Sequence, residues 1–323
     1  MPARGREPPP SRAADDCLTA LLDTMRRVRV AIIDVGANTL RLLVAGPSGQ
    51  QVVSVREERE ALRLGEEVER YGYITAPKCV QAAEIARAQT RCAHRLGCER
   101  VEIVVTSPGR QSANGDEFAE LLSQTAGVPA RVLSAEEEGA LAWDGAVAAL
   151  EESPESVAVC DIGGGSTQIV VGTLAFGPAW VRSVDLGSLR LTERFLTGDP
   201  PDAEALEAAR AEAAEAFAAI VPPMALLGLG TGGTARALRK LTGDGVLDAD
   251  SLESAIERLA SLQRAKIAKR FGVAPQRAAT LLAGSILFAE AQRRIGLPLQ
   301  VASGGVREGC ALALFRESAT AYG

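Results

Sequence analysis

The stretch VAVCDIGGGSTQIVVG, residues 157–172, decides how the rest of the chain is read. An apolar run reaches an acid, Asp161. Three glycines, Ser166, Thr167 and Gln168 follow, and a second apolar run leads away. Two β-rich runs around a short turn predict a hairpin. A turn without Cβ atoms lets backbone N–H groups approach a ligand, and such groups form a nest for phosphate oxygens. Ser166 and Thr167 add hydroxyl donors. A carboxylate beside a phosphate nest implies a cation between them, for which magnesium is the natural choice. Plain hairpins also use glycine, so one such loop leaves phosphate binding and simple turning equally open.

A counterpart stands near the start. In VRVAIIDVGANTLRLLVAG, residues 28–46, two β-rich runs flank a turn holding Gly36 and Asn38. After each hairpin a third strand, then helices and strands in alternation, follow from the hydrophobic spacing. The order β-β-β-α-β-α-β-α occurs approximately twice, each copy opening on an acid, a glycine turn and a hydroxyl: IDVGANT and CDIGGGST. An internal duplication of this kind predicts two similar α/β domains with a cleft between them. Two more glycine loops, GTGGT (230–234) and SGGVREG (303–309), come where strands end and helices begin, and helix N-termini favour anions. Four such loops point to a polyphosphate-binding cleft. No G-x-x-x-x-G-K-[ST] occurs, so the chain is not a P-loop enzyme.

Composition narrows the function further. The 323 residues suffice for about two domains, and with 47% hydrophobic but only 4% aromatic residues the cores must be built from Ala, Val, Leu and Ile. A net charge of -6 argues against a general nucleic-acid binder. No apolar run spans a bilayer, and the start MPARGREPPPSRAADD lacks an apolar signal core, so a cytoplasmic protein is expected. Six scattered cysteines fit reduced thiols. There is one histidine, His94, which reads as a surface residue near a helix end, so a Ser-His-Asp triad or a histidine metal cluster has only His94 to draw on. Residues 1–27 read as a disordered or short helical extension, with translation starting at Met25 as one expectation; the first domain covers 28–148, the second 149–305, and the final helix, 306–321, returns to the first.

Seven blocks in order carry a resemblance over residues 28–318: IDVGANTLRLLVA, VTSPGRQSANGDEF, LSAEEEGAL, DIGGGSTQIVVG, SVDLGSLRLTE, GLGTGGTARAL and SGGVREG. Together they resemble the exopolyphosphatase / guanosine pentaphosphate phosphohydrolase family, within the superfamily of actin, sugar kinases and heat-shock ATPases. The resemblance implies two duplicated actin-like (ribonuclease H-like) domains. It implies hydrolysis of the terminal phosphoanhydride of polyphosphate, of guanosine pentaphosphate, or of both, with Mg2+ or Mn2+, and a homodimer. By motif position Glu138 is the expected base and Arg110 the group that holds a phosphoryl oxygen. Gly36, Asn38, Thr39, Gly163, Gly164, Gly165, Ser166, Thr167, Gly232 and Gly233 are the expected phosphate track. Asp161 and Asp34 are the expected metal ligands, with Gln168 as a third.

The chain departs from the family at Ala37 (usually Ser), Gly139 (usually Ala), Ala279 (often Asp) and Gln168, where the family has Glu. A neutral Gln168 holds a cation less tightly than Glu. That departure motivates an alternative: a non-catalytic sensor of polyphosphate or of a guanosine alarmone. A sugar or acid kinase is a third reading. The basic run Arg264, Lys266, Lys269, Arg270 reads as a solvated helix face.

Overall fold

The computed structural model describes residues 28–150 and 154–320; the N-terminal extension and the expected start at Met25 lie outside the described residues. The first half runs β1 (Arg29–Val35), β2 (Thr39–Ser48), β3 (Gln51–Ala61), α1 (Leu64–Tyr71), α2 (Ala76–Arg95), β4 (Cys98–Val105), α3 (Ser107–Gln111), α4 (Gly115–Ala126), β5 (Ala130–Val132) and α5 (Ala135–Val147). The second runs β6 (Val157–Ile162), β7 (Thr167–Thr173), β8 (Gly177–Val184), α6 (Ser188–Phe195), α7 (Ala203–Ala216), β9 (Leu227–Thr231), α8 (Gly232–Thr242), β10 (Val246–Leu247), α9 (Ala249–Ala260), α10 (Arg264–Phe271), α11 (Pro275–Ile295), β11 (Leu299–Val301) and α12 (Val306–Thr320).

Two sheets result, ordered β3-β2-β1-β4-β5 and β10-β11-β9-β6-β7-β8. In each, an antiparallel trio is extended by parallel strands beside its first member. Parallel neighbours require crossover helices, which explains the alternation read in the sequence. All six residues of β6 are buried, as expected of a central strand covered on both faces. β1 shows how the faces divide. Ala31, Ile33 and Val35 pack with α2 and α4, whereas Val30 and Ile32 pack with Cys310, Ala311 and Leu314 of α12. Each such aliphatic side chain contributes about 1.5–3 kcal/mol by leaving water.

The last helix thus covers the first sheet, while α5 covers the second through Trp143 and Ala146 against Val157, Val159 and Val170. The two helices cross backbone to backbone. A Cβ on Gly145 would lie 2.0 Å from the Gly305 carbonyl oxygen, and one on Gly309 would lie 1.9 Å from that of Leu141. A capping box, Ser134 with Glu137, fixes the start of α5 at Ala135, in whose first turn Glu138 lies.

The structure departs from the sequence reading in two places. Helix α1 was not expected: over two turns it buries only Leu64 and Val68, too short a period to read. The spacing of SLESAIERLASLQRAKIAKR predicts one helix, but the structure has two, α9 and α10. Arg264 stabilises the break through tertiary bonds, its N–H to Asp199 (2.7 Å) and its guanidinium to the Leu196 carbonyl (2.6 Å). Among the described residues no helix is long and apolar enough to cross a membrane.

Candidate active site

Four loops converge between the sheets. The β1–β2 turn closes with Gly36 N–H on the Thr39 carbonyl, and the β6–β7 turn with Gly163 N–H on the Ser166 carbonyl, both at 3.0 Å. The N-termini of α8 and α12 point in from the other side, tied together by the Thr231 hydroxyl donating to the Gly304 carbonyl. Unpaired N–H groups at helix starts favour anions.

Between them lies a cavity of about 110 Å³. Of the residues expected from sequence, Asp34, Gly36, Asn38, Thr39, Glu138 and Asp161 line it, as do Gly163, Gly164, Gly232 and Gly233. Two glycines are required by close approach. Gly232 has φ +85° and a Cβ there would sit 2.6 Å from an Asp161 oxygen; at Gly233 it would sit 2.6 Å from an Arg277 nitrogen. Ala37, buried, packs against Gly164 of the opposite loop, with no hydroxyl to offer.

The other expected residues stand behind the wall. Thr167 is fully buried and donates to the Leu186 carbonyl at 2.7 Å, so its hydroxyl is committed to the fold. Gly165 packs against Ser107 and Gln111. Arg110 does not line the cavity; it pairs with Glu138 at 2.7 Å and donates to the Leu133 carbonyl (2.9 Å) and Ser166 Oγ (3.3 Å). Gln168, expected toward metal, instead turns its amide nitrogen to Glu138 Oε2 (3.4 Å), Ser166 Oγ (2.9 Å) and Ser183 Oγ (3.3 Å).

The acids are poised for proton and cation chemistry. Burial pushes Glu138 up to about 7, with Arg110 opposing and Asp161 adding to the rise. Burial also raises Asp161 to about 6, helped by the charge of Asp34, and raises Asp34 against the pull of Arg41 and Arg307. Asp34 raises Asp161 and Glu308 raises both, so the carboxylates here are short of positive charge, which a cation would supply. Among the described residues no group of three or more His, Cys, Asp or Glu side chains forms a metal cage. Two carboxylates nonetheless suit magnesium, which keeps waters and takes phosphate oxygens for its remaining positions.

Sequence reasoning missed the arginines. Arg41, Arg236, Arg277 and Arg307 line the cavity and, with Arg59, an adjoining one of about 300 Å³. They come from β2, β3, α8, α11 and α12. Burial lowers Arg277 to about 9, with Arg41, Arg59 and Arg236 adding to the drop. Burial likewise lowers Arg41 to about 10, and Arg307 adds to it. Arg307 reaches Glu57 at 3.2 Å, whereas no described carboxylate lies within ion-pair distance of Arg277, which bonds only the Thr234 hydroxyl (2.9 Å). Crowded, under-neutralised guanidinium groups are an anion site.

Comparison with known proteins identifies the family and the fold. The Ppx/GppA phosphatase family matches residues 43–317. Exopolyphosphatase 2 of Mycobacterium tuberculosis is 36% identical over 198 residues, covering 58% of this chain and 60% of that protein. The match thus spans less than two thirds of that relative's length. Exopolyphosphatase 1 of the same organism is 26% identical over 302 residues, 88% of each chain. The crystal structure of the Aquifex aeolicus member of the Ppx/GppA family superposes with a TM-score of 0.77 at 26% identity, covering 90% of this chain and 98% of that one.

Proposed function

The chain belongs to the Ppx/GppA phosphatase family, with its two actin-like domains, and from that premise we propose that it hydrolyses the terminal phosphoanhydride of inorganic polyphosphate. The observation that carries the reading is a buried carboxylate, Glu138, facing a cavity walled by arginine side chains and glycine backbone.

The terminal phosphoryl group enters among the N–H groups of Gly164, Gly232 and Gly233, with Arg41 and Arg277 offsetting its charge. Asp34 and Asp161 would hold Mg2+ or Mn2+, which would neutralise phosphate charge when bound. Glu138, ionised, takes a proton from the attacking water; Arg110 fixes the carboxylate from behind. Phosphoryl transfer needs positioning and charge neutralisation more than covalent help, and these residues supply both. The rest of the chain of phosphates continues into the adjoining arginine-lined cavity. Guanosine pentaphosphate is the second substrate to be tried, but the lining of both cavities offers guanidinium groups rather than rings on which a guanine would stack. Action as a cytoplasmic homodimer completes the proposal; light scattering tests the dimer.

The deciding measurement is phosphate release from long-chain polyphosphate and from guanosine pentaphosphate, with Mg2+ or Mn2+, by wild type and Glu138→Ala. Release that the substitution abolishes supports the hydrolase, and the faster substrate identifies it. Saturable binding without release under either metal replaces the enzyme with the sensor that the neutral Gln168 motivates.

A further inference from the structure

We infer that Gln168 is a positioning residue, which holds Glu138 through its amide nitrogen, and is not a metal ligand. The inference rests on the hydrolase reading above. Gln168, the second residue of β7, lies directly across from Asp161 and is 1% exposed. Its position alone would suit a ligand. Its contacts argue otherwise.

The amide nitrogen faces Glu138 Oε2, Ser166 Oγ and Ser183 Oγ. Reversing the amide would set its oxygen against the Glu138 carboxylate, acceptor against acceptor, so the neighbours fix the orientation. Four side chains close a ring. Gln168 donates to Ser166 and Glu138, and Arg110 donates to the same two groups. A closed ring of this kind holds the base in one rotamer. The remaining atom, Gln168 Oε1, is buried and has no protein donor. Gln168 also does not line the cavity that Asp34, Asp161 and Glu138 face, so neither amide atom reaches a cation held there. In the step itself the proton passes to Glu138, the water oxygen bonds phosphorus, and the anhydride P–O bond breaks with its electrons on the departing chain. The amide loses nothing. A glutamate at 168 has no hydrogen for Glu138 and sets a second negative charge against it.

The experiment compares wild type, Gln168→Met, Gln168→Glu and Asp161→Asn by two readouts: kcat and KM for polyphosphate, and Mn2+ affinity by electron paramagnetic resonance without substrate. Gln168→Met is expected to lower kcat about 10- to 100-fold while KM and Mn2+ affinity stay within about twofold. Gln168→Glu is expected to lower kcat as well, and, being closest in shape, keeps the test valid if the methionine variant does not fold. Asp161→Asn is expected to weaken Mn2+ binding. The inference is overturned if Gln168→Met weakens Mn2+ as Asp161→Asn does, if it leaves kcat unchanged, or if Gln168→Glu raises kcat and tightens Mn2+. Failure of the hydrolase reading has a different signature, wild type no faster than Glu138→Ala, and it takes this inference with it.

Discussion

The loop after Asp34 and the loop after Asp161 close in the same way. In each, the residue two positions on donates to the carbonyl five positions on. In each, the carbonyl three positions on caps the helix that follows: Ala37 accepts from Gly65 of α1 and Gly164 from Leu189 of α6, both at 2.8 Å. The strands pair alike too, and across the hairpin Asp34 faces Arg41 where Asp161 faces Gln168. One register position therefore carries the divergence. In the first copy it holds a guanidinium that lines the cavity; in the second it holds a neutral amide turned to Glu138. The duplicated backbone is a frame, and the charge each copy brings to the cleft is set by the side chain at that position.

The hardest blow to the comparison is to remove what the second loop serves. Glu138→Ala should cut kcat by about 10²- to 10⁴-fold with little change in KM. Making the first loop resemble the second, by Arg41→Gln, should instead raise KM by about 10- to 100-fold, the worth of a charge-assisted bond to phosphate, with a smaller change in kcat. A kcat loss as large as that of Glu138→Ala would break the division of labour.

Acidity gives a test with two opposite slopes. Glu138 must be ionised to act, and burial raises it to about 7, so kcat/KM should fall about tenfold per unit as pH drops below that value. Stability runs the other way. A carboxyl whose folded pKa lies above its unfolded value binds more protons when folded; its contribution is full below about 4.5 and is lost as pH rises through about 7. Metal-free protein should therefore melt at lower temperature at pH 8 than at pH 5, and Mn2+ should flatten the difference by neutralising Asp34 and Asp161. The smallest effect is expected at Lys266→Ala and Lys269→Ala, which lie outside both cavities; KM should change less than about twofold.

Those lysines show where reading the sequence stopped. Asp34, Asp161 and Gly232 were legible because they sit in or beside short glycine turns, and local spacing survives into the fold; Glu138 was expected only through the resemblance of its block. The arginines were not. Arg41 and Arg307 sit inside loops that were recognised, and Arg277 lies in ordinary helix sequence; nothing local separates them from solvated charges. Their meaning comes from five elements meeting at one point, which only tertiary packing specifies. The run from Arg264 to Arg270 looked more basic, yet Arg264 turns to the backbone of residues 196–198. The contacts of Arg110 and Gln168 were hidden for the same reason, since the ring they complete joins residues from α3, α5 and the β6–β7 hairpin.

The arginine groove makes the free protein a small ion exchanger. Arg41, Arg59, Arg236, Arg277 and Arg307 repel one another, so in solution they keep mobile anions close, as a resin does. An arriving polyanion displaces those anions and sheds its own cations, and the release of both drives the exchange. Each phosphate so neutralised adds on the order of one unit to the steepness with which log affinity falls against log salt. Long chains would then be held at low ionic strength by the gain in freedom of the small ions they set loose, and released by a modest rise in salt with no movement of the protein.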